Sequence, residues 1–254
     1  MVSEFVKSVK VNQGTDADCY IKYGLPLLET PKNIRIKFLK TGSLQYISHL
    51  DLHRLINRAL VRAGIPIWYT QGFNPHAKMV FALPLPVGVE SVCEYLDVKI
   101  DREIPCDDVK ELLNRQLTGE LQVIEVYEPT AKFAEVSRAE YRILLESVSA
   151  SPALAGQINA FFSAVPIMMT KKTKSGEKEI DITALIHKLQ AEFCPDCGKI
   201  RINATLTAGA ESLSPEFIMA AMRRYGVLPA VPLTDESYSI MRLRVLTADG
   251  KEFR

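Results

Sequence analysis

The stretch IRIKFLKTGSLQYISHLDLHRLINRALVRAG, residues 34–64, decides the fold of the first half of this chain. Every second residue from Ile34 to Phe38 is apolar, which predicts a strand with one buried face. Thr41 and Gly42 then end the strand, because this pair favours a turn. A strand followed at once by a helical pattern is the start of a βαβ unit.

The helix in this stretch carries signals at both of its ends. Ser48 is expected to cap the N-terminus, with Asp51 as its acidic partner three residues later. Gly64 supplies the C-terminal stop. The spacing therefore predicts a helix over 48–63, whose apolar face is formed by Leu52, Leu55, Ile56, Ala59, Leu60 and Ala63.

The same kinds of pattern continue to the end of the chain. In the first half they predict a helix that begins at Asp107 or Asp108, and strands at 65–70, 94–100 and 121–127. In the second half they predict helices that open at Ser151 and Ser214, and strands at 141–148, 167–170, 200–206 and 238–246. Each half has the order β-α-β-β-α-β, so we expect an α+β protein of two tandem ferredoxin-like (split βαβ) domains. Each domain is expected to carry a long insertion after its second strand.

This interpretation divides the chain into four parts. Residues 1–32 are an irregular N-terminal leader, and 33–128 form the first ferredoxin-like domain. Residues 129–138 are a linker. Residues 139–254 form the second domain, whose insertion holds a basic hairpin and a CxxC motif.

Composition limits the class of protein. The 254 residues are 47% hydrophobic and 24% charged with a net charge of +1, the balance of an ordinary globular protein. No apolar run approaches the length of a membrane helix, and residues 1–14 lack the apolar segment of a secretory signal. We therefore expect a cytoplasmic protein without a membrane partner. Five cysteines, an odd number, favour a reducing compartment over a disulfide scaffold.

Positive charge is concentrated in residues 33–83. This segment contains seven basic side chains and one carboxylate, so its net charge is +6. Arg54, Arg58 and Arg62 recur every four residues and so lie along one helix face. With Lys78 they are candidates for contacts to RNA phosphates, and Tyr69 and Phe73 are candidates for stacking on bases. The alternative is an ordinary solvated face whose charges are paired with acids elsewhere.

Two histidines are candidates for chemistry. His49 lies in the first turn of the helix, and His76 lies in residues 71–92, a loop long enough to suggest a function. The two form a general acid/base pair, or partial metal ligands together with Asp51, or only structural hydrogen bonds. The sequence leaves these three interpretations open.

Two motifs in the second half bear on nucleic acid and metal binding. Lys171, Lys172 and Lys174 form a basic tip, either a phosphate clamp or a solvated turn. Cys194 and Cys197 form a single CxxC, an incomplete zinc site with His187 as the nearest third ligand, or a reduced pair in a turn. We therefore expect no cofactor, with zinc as the alternative. A CxxxCxxC motif is absent from this sequence, so the chain does not by itself hold the iron–sulfur cluster of a radical enzyme.

Five motifs in order along the first domain resemble a bacterial family built on a domain of unknown function, the radical-SAM-linked or radical-SAM-associated family. They are Lys40-Thr41-Gly42, Ser48–Asp51, Arg62-Ala63-Gly64, Gln71–His76 and Leu83–Ser91. The resemblance is strong over 33–128 and looser from there to about 246. The resemblance implies that this protein works beside a radical SAM enzyme, because members of the family are fused behind such enzymes or encoded next to them. It implies no particular reaction.

Charge and resemblance together favour a non-catalytic accessory protein that binds structured RNA, tRNA or rRNA, alongside a radical SAM enzyme. One alternative is an RNA-processing hydrolase that uses His49 and His76. Another is a protein–protein adaptor without RNA binding, in which the apolar, proline-containing loop Leu83–Ser91 docks the radical enzyme.

Overall fold

The protein is described by a computed structural model over residues 24–164, 166–173, 176–209, 211–228 and 236–254. Two compact units divide the chain. Unit 1 comprises the described residues up to Pro84 together with Glu94–Thr130, and unit 2 comprises Leu85–Cys93 together with the described residues from Ala131 to Arg254. Each unit mixes helices with strands, so the predicted α+β class is confirmed.

Unit 1 places two helices beside its strands. Its elements are β1 (Leu27–Lys40), α1 (His49–Arg62), β2 (Met79–Phe81), β3 (Val89–Arg102, which belongs to this unit from Glu94), α2 (Cys106–Asn114) and β4 (Leu121–Tyr127). The strands lie side by side in the order β4-β1-β3-β2. β4 pairs with β1, and β2 pairs with β3, both antiparallel.

The core of unit 1 lies between its strands and the apolar faces of its two helices. On the strands, Ile34, Ile36 and Phe38 are each at most 2% exposed. The helices contribute the buried residues Leu52, Ile56, Ala59, Leu60, Val109 and Leu113. Burial of a large apolar side chain stabilises the fold by about 1.5–3 kcal/mol, so this face holds α1 in place.

Helix α1 begins and ends where its sequence signals predict. The Ser48 hydroxyl oxygen accepts a hydrogen bond from the Asp51 N–H (3.1 Å) and donates its own proton to the Asp51 carboxylate (2.7 Å). At the other end Gly64 has a φ of +66°, the left-handed conformation that glycine tolerates, and the Ile65 N–H reaches back to the Leu60 carbonyl. Both ends fix which residues of α1 face solvent.

Unit 2 repeats this element order with an added hairpin. Its further elements are β5 (Val136–Ser147), α3 (Pro152–Ser163), β6 (Met168–Thr173), β7 (Gly176–Asp181), β8 (Ile186–Cys194), β9 (Lys199–Thr207), α4 (Glu216–Arg224) and β10 (Glu236–Thr247). The strands lie in the order β10-β5-β9-β8, and β6 with β7 form a separate two-stranded sheet. Val89–Ser91 of β3 pair in parallel with Ile240–Arg242 of β10.

The long insertions precede the second sheet strand of each unit, whereas the sequence predicted that they follow it. In unit 1 the predicted strand 65–70 makes only isolated bridges, because Pro66 has no N–H for a continuous ladder. In unit 2 the predicted strand 167–170 belongs to the β6–β7 hairpin. The sheet strand is β8, whose alternation is weak because Ala191 is its one buried residue.

Two predicted boundaries also differ from the structure. β1 already begins at Leu27, within the predicted leader 1–32, whose residues 1–23 lie outside the described residues. β5 begins at Val136, within the predicted linker 129–138.

None of the helices within the described residues is long and apolar enough to span a membrane.

Candidate nucleic-acid interface

The outer face of α1 presents three arginines to solvent. Arg54, Arg58 and Arg62 are all exposed, on the side of the helix opposite its buried leucines. The Arg54 guanidinium lies 3.3 Å from the Asp51 carboxylate, and the Arg62 guanidinium donates to the Gln116 carbonyl at 3.5 Å. Among the residues that the structure describes, Arg58 and Arg62 form no ion pair. Their charges are therefore available to a ligand.

The cations of β1 have a different environment. The Arg35 side chain is 1% exposed and donates two hydrogen bonds to Asp97, at 2.7 and 2.9 Å. Lys40 is also buried, with its ammonium 3.4 Å from the Gln45 carbonyl, and the Lys37 ammonium lies 5.7 Å from the centroid of the Tyr95 ring. The net charge of +6 in residues 33–83 therefore overstates the positive charge that solvent meets, because Arg35 and Lys40 belong to the interior.

His49 and His53 pack around one aromatic ring at the start of α1. The His49 and Phe81 ring centroids are 4.8 Å apart, and those of His53 and Phe81 are 6.2 Å apart. Burial lowers the pKa of His53, and the neighbouring His49 lowers it further. Sequence reasoning did not single out His53, although its spacing of four residues from His49 places both on one helix face.

His76 closes a loop whose tip is formed by residues 71–75. The His76 N–H donates to the Thr70 hydroxyl (3.1 Å), and the Thr70 N–H donates to the His76 carbonyl (3.0 Å). The His76 Nδ1 lies 3.1 Å from that hydroxyl and 3.2 Å from the Asn74 carbonyl. At the tip of this loop the Phe73 side chain is fully exposed, which is unusual for a large aromatic ring.

The structure does not bring the two predicted catalytic histidines together. His49 packs on Phe81 in α1, His76 is held within its own loop, and no contact in the described residues joins them. The Asp51 carboxylate is bound by Ser48 and Arg54. In the described ranges, no group of three or more His, Cys, Asp or Glu has a metal-binding arrangement.

Tyr69 and Lys78 differ in their access to a ligand. Tyr69 is half-buried and packs against the core of unit 1, which limits its use as a stacking platform. Lys78 is exposed, whereas Ala77 before it is buried and Met79 after it packs on the core. Because successive side chains of an extended chain point to opposite sides, Lys78 faces away from the core.

The basic tip in unit 2 is only partly described. The Lys171 ammonium donates to the Ser212 carbonyl at 2.9 Å and is half-buried. This hydrogen bond favours an anchoring role for Lys171 over a phosphate contact. The side chain of Lys172 and the whole of Lys174 lie outside the described part of the structure.

Cys194 and Cys197 lie at the turn that joins β8 to β9, and not in an insertion as predicted. His187, the predicted third ligand, is at the opposite end of β8 and contacts the Thr207 hydroxyl through Nε2 (3.0 Å). Seven residues of strand correspond to roughly 23 Å, so the prediction of His187 as a ligand is wrong.

A small cavity in unit 1 is lined by residues that are far apart in the sequence. It measures about 260 Å³ and is bordered by Cys106 and by an ion pair between Lys32 and Glu128 (2.6 Å). Glu128 raises the pKa of Lys32, and burial raises the pKa of the Cys106 thiol. No local sequence pattern identifies this group, because its members come from three separate segments.

Comparison with protein families matches residues 33–215 to a family described as "Uncharacterized protein conserved in bacteria (DUF2344)". This match covers more than half of the chain. No curated protein matches the sequence.

Three solved structures show distant similarity. One belongs to a Cbf5-Nop10-Gar1 complex, with 11% identity over 84% of this chain and 48% of that chain and a TM-score of 0.44, so this chain spans about half its length. An unknown protein from Galdieria sulphuraria has 8% identity, coverage of 84% and 99%, and a TM-score of 0.25. DyPB from Rhodococcus jostii RHA1 has 11% identity, coverage of 85% and 94%, and a TM-score of 0.21. TM-scores this low assign neither fold nor function.

Proposed function

The chain belongs to the DUF2344 family of bacterial proteins, and we propose that it is an accessory protein that binds structured RNA through unit 1. The observation that carries this proposal is the exposed line of Arg54, Arg58 and Arg62 on α1, two of which form no ion pair within the described residues. The radical SAM enzyme that the sequence resemblance implies is the proposed partner, and tRNA or rRNA is the proposed RNA.

The geometry of the arginine line suits a phosphate backbone. Residues four apart on a helix are separated by about 6 Å along its axis, so the three guanidinium groups span roughly 12 Å. Arginine binds phosphate through two parallel N–H groups and remains charged at every physiological pH. Like charges at this spacing repel in the free protein, and a polyanion relieves that repulsion.

Phe73 adds a contact of a different kind. The fully exposed phenyl ring of Phe73 lies at the tip of a loop closed by hydrogen bonds, where an unstacked base can stack on it. Such stacking contributes about 1–3 kcal/mol per base. Two hydrogen bonds between Thr70 and His76, one of them to the Thr70 hydroxyl, hold the loop ends together. This reduces the conformational entropy that the loop loses on binding. Single-stranded or looped RNA supplies such bases.

The fold is compatible with this role. The element order of both units, with strands arranged β4-β1-β3-β2 and β10-β5-β9-β8, supports a tandem ferredoxin-like architecture. That architecture does not by itself imply a function. The proposal therefore rests on the exposed side chains of unit 1.

An accessory role is favoured over a hydrolase because each candidate histidine already has a structural role. The His76 Nδ1 lies within hydrogen-bond distance of Thr70 and Asn74. The His49 ring packs edge-on against Phe81. A general acid/base pair needs both rings within reach of one substrate proton, and no contact among the described residues joins the two.

The proposal is tested by a salt titration of binding to fluorescently labelled tRNA, followed by fluorescence anisotropy. We expect the logarithm of affinity to fall linearly with the logarithm of salt concentration. The double variant Arg58→Ala/Arg62→Ala should bind more weakly, with a salt slope smaller by about 2, one for each lost phosphate contact.

Arg115→Ala is the control, because Arg115 is also an exposed arginine of unit 1 and is paired with Glu111 at 3.6 Å. It should leave affinity and slope close to those of the wild type. Affinity that does not depend on salt, or a double variant that binds like the wild type, would disprove the proposal.

A further inference from the structure

We propose that Cys194 and Cys197 are two thiolate ligands of a zinc ion bound at the tip of the β8–β9 hairpin. The remaining ligands of the tetrahedral ion come from outside this hairpin. A C-x2-C pair is the usual half of a structural zinc site, and soft sulfur ligands select zinc over magnesium and calcium. This site is independent of the RNA proposal, because the hairpin lies in unit 2 and the arginines lie in unit 1.

The turn brings both cysteines to one end of the hairpin. Cys194 is the last residue of β8 and pairs with Lys199, the first residue of β9. The Gly198 N–H donates to the Cys194 carbonyl (2.9 Å), and Gly198 has a φ of +66°, which favours glycine. The Cys197 Sγ lies 3.9 Å from the same carbonyl oxygen. The turn therefore holds both cysteines of the motif at the same end of the hairpin.

The surroundings of the pair favour a bound cation with thiolate ligands. Cys197 and the two turn residues Pro195 and Asp196 are exposed, and Cys194 is half-buried, so an ion reaches the site from solvent. The Asp196 carboxylate adds negative charge at the turn.

The missing ligands must come from elsewhere. Within the described residues, the cysteine pair has no third His, Cys, Asp or Glu grouped with it. Two thiolates at the hairpin tip leave two positions of a tetrahedral ion for water.

The test is a titration of the reduced, metal-free chain with Zn²⁺ against a chromophoric chelator. A parallel titration with Cd²⁺ follows the ultraviolet thiolate-to-cadmium charge-transfer band. Cys194→Ser and Cys197→Ser should each weaken zinc binding at least about 100-fold, the upper range for loss of a partner that only supports a ligand, and should reduce the cadmium band. Cys106→Ser, a half-buried cysteine of unit 1, is the control and should change neither. Equal binding by the wild type and by both hairpin variants would overturn the proposal.

A second measurement uses only the wild-type chain, so it does not depend on the folding of a variant. Zinc should slow the alkylation of Cys194 and Cys197, mapped by mass spectrometry, and should leave the rate at Cys106 unchanged. Equal alkylation rates at the hairpin cysteines with and without zinc would also overturn the proposal.

Discussion

Unit 1 contains two sets of cations that look alike in the sequence and differ in the structure. Arg35 and Lys40, on β1, are each 1% exposed, and Arg35 is bound by both carboxylate oxygens of Asp97. Arg58 and Arg62, on α1, are exposed and form no ion pair with any residue in the described segments. Charge counted along the chain is therefore a poor measure of charge presented to a ligand.

The difference follows from the geometry of the two elements. A strand inside a sheet has neighbours on both sides, and side chains that point away from the core still meet the next strand. Asp97, on the neighbouring strand β3, is such a partner for Arg35. A surface helix has one buried face and one face in water, so the arginines of α1 remain exposed.

The largest expected effect tests the buried set. Arg35→Met removes one partner of a largely buried ion pair and leaves the Asp97 carboxylate unmatched, so the free energy of unfolding should fall by about 3–5 kcal/mol. Arg54→Ala, which breaks the exposed pair with Asp51, should cost less than about 1 kcal/mol. Urea unfolding followed by circular dichroism measures both.

The double variant Arg35→Met/Asp97→Leu separates loss of the pair from loss of packing. Removal of both charges should restore much of the stability lost in Arg35→Met. If Arg35→Met and Arg54→Ala lowered the free energy of unfolding by similar, small amounts, the distinction between buried and exposed cations would be lost.

An effect of intermediate size is expected at Phe73, an exposed residue of unit 1. Because the Phe73 side chain is fully exposed, Phe73→Ala should leave the melting temperature unchanged. Loss of a stacked base should weaken RNA binding by about 1–3 kcal/mol, roughly 5- to 150-fold, as measured by fluorescence anisotropy. Phe81→Ala is the contrasting variant, and it should lower the melting temperature because its ring packs against His49 and Phe38. A stability loss in Phe73→Ala equal to that in Phe81→Ala would contradict this assignment.

The smallest expected effect concerns His53, whose side chain is half-buried and so is intermediate in exposure between the two sets of cations. Its pKa is lowered in the folded protein from an ordinary 6.5, so the unfolded chain takes up a proton first as the pH falls. Stability should therefore decline as the pH drops through about 6.5 towards the folded pKa, and no further below it. Melting temperatures between pH 8 and 5 should show a shallower decline in His53→Gln than in the wild type. An unchanged pH dependence in that variant would show that His53 does not titrate differently on folding.

Much of the fold was predictable because its signals are local. The N-cap at Ser48, the apolar stripe of α1 and the glycine at 64 all act within a few residues, and the structure places each where the sequence predicts. β8 was missed because an edge strand with one buried residue has almost no alternation. The predicted strand at 65–70 failed because Pro66 interrupts the ladder.

The candidate site was predictable only in part. The exposed arginines of α1 follow from helical spacing. The separation of His49 from His76, the core packing of Tyr69 and the anchoring of Lys171 by Ser212 depend on contacts between distant segments. Sequence spacing alone does not encode such contacts.

The sequence by itself determined the α+β class, the capped helix α1 and the line of arginines along it, because helix periodicity and capping are properties of neighbouring residues. Only the tertiary structure decided which charges remain available, since Arg35 meets Asp97 across 62 residues of sequence. It also decided that Phe73 projects into solvent and that Cys194 and Cys197 share a hairpin turn. Strand pairing sets those positions, and strand pairing depends on which distant segments come together when the core forms.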